Sequence, residues 1–119
     1  MKKTLVLGAS PNPSRYSHAA VRQLSQYGHE VVAVGRRAGE IEGISILKGE
    51  PEIEGIHTIT LYLSADNQKQ YYDYILGLNP KRIIFNPGAE NPELARLARE
   101  SGIEPLPACT LVMLSVGNY

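Results

Sequence analysis

Thr4-Leu5-Val6-Leu7-Gly8-Ala9-Ser10-Pro11-Asn12-Pro13-Ser14-Arg15-Tyr16-Ser17 is the stretch that decides the fold. Thr4–Leu7, bounded by Lys3 and Gly8, reads as a strand buried on both faces. Ser17 or a neighbour is placed to cap a helix running to about Tyr27, with Ala20, Val21 and Leu24 on one stripe. Gly28 then supplies a left-handed stop. The strand-turn-helix over residues 5–27 is therefore expected to cradle an anion, phosphate above all. Gly8 lets the backbone pass close to a ligand. Ser10, Asn12, Ser14 and Ser17 offer hydroxyl and amide groups, and Arg15 adds a charge. The helix start contributes free N–H groups and the positive end of its dipole. The turn is too long and proline-rich for the three-glycine dinucleotide fingerprint, since only Gly8 is present. By spacing alone it remains a generic anion site, with a plain βα loop and capping serines as the competing reading.

Outward from this unit, apolar runs alternate with segments of helical period. Val31–Val34 reads as the second strand and Ile44–Leu47 as a short third. A further strand with β-branched residues spans 58–63. Residues 66–78 read as one helix, with Tyr71, Ile75 and Leu78 on a stripe and Asn79-Pro80 as the stop. A strand at 83–85 is followed by the turn Asn86-Pro87-Gly88. Asn91 caps a helix beginning at Pro92, with Leu94, Leu97 and Ala98 inward and Ser101-Gly102 at its end. A last strand at 103–106 and a short helix over Thr110–Val116 complete the chain. Residues 36–54, rich in Gly and Glu, read as a long irregular connection in which a helix is abbreviated. About five alternations of strand and helix give an α/β fold in one domain over 1–119. The expected architecture is a doubly wound, mainly parallel five-stranded sheet with helices on both faces.

In such sheets ligands sit beyond the carboxyl ends of the strands. The second strand runs into Gly35-Arg36-Arg37, where a dinucleotide binder selecting a free ribose hydroxyl carries an acid. Two guanidiniums suit a phosphorylated ribose, either the 3′-phosphate of coenzyme A or the 2′-phosphate of NADP. A solvated basic pair opening a loop is the simpler alternative. The whole chain is not basic: 12 Lys and Arg balance 12 Asp and Glu, which argues against a nucleic-acid partner. Hydrophobic residues at 43% and charged residues at 20% are ordinary for a globular domain of 119 residues. One cysteine, Cys109, excludes an intrachain disulfide and fits a reducing compartment. No apolar run approaches the ~20 residues of a membrane span, and no secretory leader is visible after Met1-Lys2-Lys3. A cytoplasmic location is expected.

Four segments in order resemble the small stand-alone CoA-binding domain proteins, whose fold is shared with the N-terminal domain of the succinyl-CoA synthetase α subunit. They are Gly8-Ala9-Ser10 with Asn12-Pro13 and Arg15; Val32-Ala33-Val34 running into Glu40-Ile41-Glu42-Gly43; Asn86-Pro87-Gly88-Ala89-Glu90-Asn91; and Cys109. The resemblance implies a three-layer Rossmann-like domain that holds coenzyme A or a related nucleotide. It places Gly8, Ala9, Ser10 and Arg15 along the diphosphate, with Asn12, Pro13, Tyr16 and Ser17 in the same loop. Val34 and Arg37 would meet the adenosine and its ribose phosphate, with Arg36 beside them, and Ser64 would lie near the pantetheine arm; Asn86, Pro87 and Gly88 form the third loop on the same side. Two departures touch the groove. The family's Val-Asn-Pro before a basic residue is here Val34-Gly35-Arg36-Arg37, and its hydrophobic-Pro pair is replaced by Leu63-Ser64-Ala65.

No catalytic or metal-binding set is visible. His18, His29 and His57 fall at a helix start, after a helix stop and at a strand start, without metal-ligand spacing. Glu90 on the ligand side is either a base or an acid complementing a helix dipole. Cys109 is either a reactive thiol or a small buried hydrophobe. Tyr71, Tyr72 and Tyr74 crowd one helix, so at least one is expected at the surface, where a homodimer contact is the sharper reading. The reading these features favour is a non-catalytic binder of coenzyme A or an acyl-CoA. A small NADP-dependent oxidoreductase, an accessory subunit, or an interaction protein that has lost its ligand are the alternatives.

Overall fold

A computed structural model describes all 119 residues. Its seven strands are β1 (Thr4–Leu7), β2 (Val31–Val34), β3 (Gly39–Ile41), β4 (Ile44–Leu47), β5 (Thr58–Leu61), β6 (Arg82–Phe85) and β7 (Glu104–Pro107). They form one sheet in the order β3-β4-β2-β1-β5-β6-β7. All neighbours are parallel except β3 and β4. The helices are α1 (Tyr16–Gln26), α2 (Ala65–Gln68), α3 (Tyr72–Gly77), α4 (Pro92–Glu100) and α5 (Thr110–Val116).

The expectation of five strands is thus corrected to seven, one pair of them antiparallel. Six of the seven lie where the chain reads as strand, and the seventh, β3, lies in the segment read as irregular. Glu42 and Gly43, at φ 47° and 86°, make the two-residue turn that joins β3 to β4, with Ile41 opposite Ile44. Both turn residues need positive φ, and the usual Asn-Gly or Asp-Gly signal is absent. Burial of Ile41 and Ile46 against Ala9 and Ala33 secures the hairpin instead. A hairpin therefore takes the place of a crossover helix.

The pleat divides the core. Leu5, Leu7, Ile59, Leu61, Ile83 and Phe85 face α3 and α4, where they meet Ile75, Leu94 and Ala98. Val6, Ala33 and Ile46 face the other way, against Val21 and Leu24 of α1 and Leu114 of α5. Successive side chains of a strand point to opposite faces, so a strand covered by helices on both sides reads as continuously apolar.

Helix ends follow the expected chemistry. After α1, the Gly28 N–H donates to Ser25 O and the His29 N–H to Leu24 O, with Gly28 at φ 87°. Gly102 closes α4 in the same way. The Asn91 side chain accepts from the Leu94 N–H, and Pro92 opens α4. Ser17 does not cap α1: Arg15 occupies that position without a side-chain bond, and the Ser17 hydroxyl turns back to the loop.

The single helix expected over 66–78 is broken into α2, a 3-10 turn at Lys69–Tyr71, and α3. Gln68 gives a tertiary reason. Its side chain is fully buried, donates to Leu63 O and Ala89 O, and accepts from Asn91 Nδ2. The tighter turn after it shifts the helical phase so that Ile75 still reaches the core. None of the three tyrosines here is exposed. Tyr74 donates to Pro51 O, and Tyr72 bonds Glu93 and Asn91.

The two sheet edges differ. The residues of β7 whose N–H groups point to β6 are Glu104, which donates to Lys81 O, and those in phase with it. Pro105 and Pro107 occupy the alternate positions, so the free edge presents no N–H donor there. No helix is long and apolar enough to cross a membrane.

At the amino ends of the strands, His29 Nδ1 accepts the Lys2 backbone N–H, and His57 Nδ1 lies 2.7 Å from Thr58 Oγ1. The Arg82 guanidinium sits over the Tyr119 ring. Burial first, and then nearby positive charges (the N-terminus above all for His29, Arg82 above all for His57, and Lys2 for both), hold the two imidazoles below their ordinary pKa of 6.5. In this window the unfolded chain binds protons that the folded chain refuses. Stability should therefore fall as pH drops below about 6.5, levelling once the folded-state values are passed. Denaturant melts between pH 7.5 and 5 check this, and His29→Asn, which keeps an acceptor but no titration, should flatten the slope.

Candidate functional site

The parallel strands are in level register, Leu7 opposite Val34 and Leu61, and Leu61 opposite Phe85. Their carboxyl ends thus form one rim. From β1 the chain turns to α1 on one face, and from β5 to α2 on the other. The chain order reverses between β1 and β5, which is where a doubly wound sheet opens a crevice. A cleft of about 810 Å³ lies there, within the range of small-molecule sites.

Two glycines make this opening. Gly8 has φ 97°, and a Cβ on it would lie 2.6 Å from Tyr62 O. A Cβ on Gly35 would run into Ala9 O. Between them, the Val34 carbonyl accepts from both the Gly8 and the Ala9 N–H. The exit of β1 is therefore wedged between backbone on either side, and the chain beyond it folds over the rim.

The loop from Ser10 to Arg15 holds itself in place. The Ser10 N–H donates to Ser17 Oγ, the Asn12 N–H to Ser10 Oγ, and the Ser14 N–H and hydroxyl to Asn12 Oδ1. The acceptor atoms of Ser10, Asn12 and Ser17 are thus engaged by the loop's own donors. The hydroxyl protons of Ser10 and Ser17 and the Asn12 amide N–H groups stay available, because a hydroxyl that accepts still donates. The Tyr16 and Ser17 N–H groups at the start of α1 find no backbone acceptor, as expected of an uncapped helix start.

Of the sequence-derived candidates, Gly8, Ala9, Ser10, Asn12, Arg15, Tyr16 and Ser17 all line the cleft, as do Arg36, Arg37, Ser64, Pro87 and Gly88. Three do not. Pro13 is exposed outside the lining. Val34 is fully buried and contributes its carbonyl to the β1 exit. Asn86 is buried as a cross-link: its Nδ2 donates to Thr60 Oγ1 and Leu61 O, and its Oδ1 accepts the Thr110 N–H. It ties β5, β6 and α5 together beneath the cleft floor.

The lining also includes Leu63 and Ala89, next to candidates on the second and third loops, and Tyr62, Asn67, Gln70 and Tyr71, for which spacing gives no ligand signal. Asn67, Gln70 and Tyr71 come from α2 and the 3-10 turn, which look like ordinary helix by spacing. Burial pushes the Tyr62 phenol well above its ordinary pKa. Glu90 does not line this cleft; its carboxylate accepts the Gly88 N–H, and the residue borders a smaller depression with Arg99 and β7. Cys109 is half-buried at the start of α5, outside the lining.

The charge of the cleft is one-sided. Arg15, Arg36 and Arg37 line it, and no Asp or Glu does. None of these arginines is in an ion pair; the four pairs of the molecule are Lys3–Glu30, Arg22–Glu42, Lys69–Asp66 and Arg96–Glu100. No three His, Cys, Asp or Glu side chains assemble as a metal-ligand set.

A doubly wound α/β sheet with a cationic crevice at its switch point defines a Rossmann-like protein. The chain belongs to the CoA binding domain family, which it matches over residues 2–115. A crystallised uncharacterised protein shares 53% identity and superposes with a TM-score of 0.97, over 100% of this chain and 98% of that one. A conserved hypothetical protein of Pyrococcus furiosus is 25% identical, with a TM-score of 0.80 over 94% of this chain and 98% of its own. The fold also recurs in an acetyl-coenzyme A synthetase of Ca. Korarchaeum cryptofilum, solved with phosphate and ADP. That match is 21% identical at a TM-score of 0.70, over 89% of this chain and 25% of the enzyme. The curated proteins return no match.

Two substitutions test the construction of the rim. Gly35→Ala should destabilise the fold by about 2 kcal/mol, because the methyl meets a backbone carbonyl rather than a movable side chain. Asn86→Ala should cost about 3 kcal/mol by stranding Thr110 N–H and Leu61 O. Urea denaturation with unchanged m-values measures both.

Proposed function

We propose that the cleft binds coenzyme A or an acyl-CoA through its phosphates and that this binding is the function, with no chemistry performed on the ligand. The observation that carries the reading is the set of three unpaired arginines in a cleft without a carboxylate, on a chain of zero formal net charge. A cleft of one sign concentrates ligands of the other. Membership of the CoA binding domain family supports coenzyme A in particular.

In this reading Arg15 and the free N–H groups of Tyr16 and Ser17 hold the diphosphate, where a helix start favours an anion. Gly8 and Gly35 keep the rim low enough for close approach. Arg36 and Arg37 take the ribose phosphate, and Ser64 on the opposite wall lies along the pantetheine arm. Nothing in the lining pairs a nucleophile with a base: its hydroxyls belong to Ser10, Ser14, Ser17, Ser64 and three tyrosines, and no histidine accompanies them.

Calorimetry and thermal shift against CoA, dephospho-CoA, NADP, NAD and ATP test the proposal. CoA should raise the melting temperature, since a ligand at 100 times its dissociation constant adds about 2.7 kcal/mol. Arg37→Ala should weaken CoA about tenfold and dephospho-CoA much less. A shift with NADP and none with millimolar CoA overturns the reading, and equal losses for both CoA forms remove Arg37 from the ribose phosphate.

A further inference from the structure

The wall of the cleft that follows β5 is built in rows. Ser64, Asn67 and Gln70 recur every three residues along α2 and the 3-10 turn after it. All three line the cleft and are exposed. Side chains three apart on a helix share one face. The neighbouring rows have other duties. Asp66 and Lys69 lie 3.9 Å from each other and do not line the cleft. Gln68 is fully buried and engages its amide with Leu63 O, Ala89 O and Asn91. Of the three amide side chains in this stretch, only that of Gln68 is hydrogen-bonded within the protein. Ser64 does not use its hydroxyl to cap α2. The charges of the stretch are thus kept outside the cleft, and the row inside it is neutral, polar and free.

We propose that Asn67 and Gln70 read the two amides of the pantetheine arm, so that this wall, and not the phosphate end, distinguishes coenzyme A from other nucleotides with a phosphorylated ribose. The inference rests on the CoA reading above, which sets the phosphates at the arginines and so sends the arm along α2. The chemistry of the two partners matches. Each side-chain amide offers both a donor and an acceptor, as does each amide of the arm. The repeat matches as well. Three residues of α-helix or 3-10 turn advance about 4.5 to 6 Å along the axis. The two amides of pantetheine are separated by two methylenes, and ordinary bond lengths put their carbonyl carbons about 5 Å apart. NADP would bring a second ribose and a single carboxamide to the same wall, without two amides at this repeat. The arginines serve any phosphorylated nucleotide, because a guanidinium reads charge and phosphate shape alone.

The experiment compares coenzyme A with adenosine 3′,5′-bisphosphate, which keeps the phosphorylated ribose and lacks the arm, by calorimetry on the wild-type protein, Asn67→Ala, Gln70→Ala and the double variant. Both positions are exposed, so the unliganded variants should melt with the wild type. Expected for the wild type is tighter binding of coenzyme A than of the bisphosphate. Each single variant should raise the dissociation constant for coenzyme A about fivefold, the effect of one hydrogen bond, and the double variant should raise it further. Binding of the bisphosphate should stay at the wild-type value throughout. Asn67→Leu and Gln70→Leu, which keep the bulk and remove the amide, should lose as much as the alanine variants. Equal affinity of the wild type for both ligands, variants that bind coenzyme A as the wild type does, or variants that lose both ligands alike overturn the assignment while leaving CoA binding standing. Failure of the wild type to bind coenzyme A at all overturns both readings together.

Discussion

The exit of β1 is the constraint on which the remaining structure depends. At Gly8 the chain must leave the middle of the sheet between Tyr62 on one side and Val34 on the other, and it does so with two N–H groups on a single carbonyl. A side chain at Gly8 would strike Tyr62 O, and one at Gly35 would strike Ala9 O. Backbone carbonyls in a parallel sheet have little room to move, because both faces are covered by helices. The absence of two methyl groups therefore decides where α1 starts and how low the rim lies.

What surrounds this exit is held by buried amides rather than by ion pairs. Gln68 links the loop after β5 to the loop after β6, Asn91 extends the link into α4, and Asn86 ties both strands to α5. Each is nearly or fully buried and each uses its donors and acceptors within the fold. A buried amide left unpaired is costly, whereas a satisfied network admits one arrangement of its members. The four ion pairs lie at exposed or half-exposed positions, where such pairs stabilise little. The floor and far wall of the cleft are thus neutral by construction, and the arginines at its near end stand out against them.

Several polar residues that suit a ligand also serve the fold. The acceptors of Asn12 and Ser10 hold their own loop, and Asn86 lies under the cleft floor. A residue type that suits a phosphate also suits an unsatisfied backbone N–H, and spacing does not separate the two uses. Arg15, Arg36 and Arg37 were legible for the opposite reason. Guanidinium has no acceptor and so cannot satisfy the free N–H groups of a loop or helix start.

The sequence by itself determined the alternation of strands and helices, the helix stops at Gly28 and Gly102 and the Asn91 cap. These are local matters of periodicity, positive φ and side-chain reach, decided within a few residues. Only the tertiary structure decided the β3–β4 hairpin, whose Glu42-Gly43 turn has no strong local signal and depends on burial of Ile41 and Ile46. It alone broke the helix after Ser64, because the partners of Gln68 lie on loops far along the chain. It alone brought Asn67, Gln70 and Tyr71 opposite the arginines. Such pairings join residues that no periodicity relates, and they follow from strand order and level register rather than from any local preference.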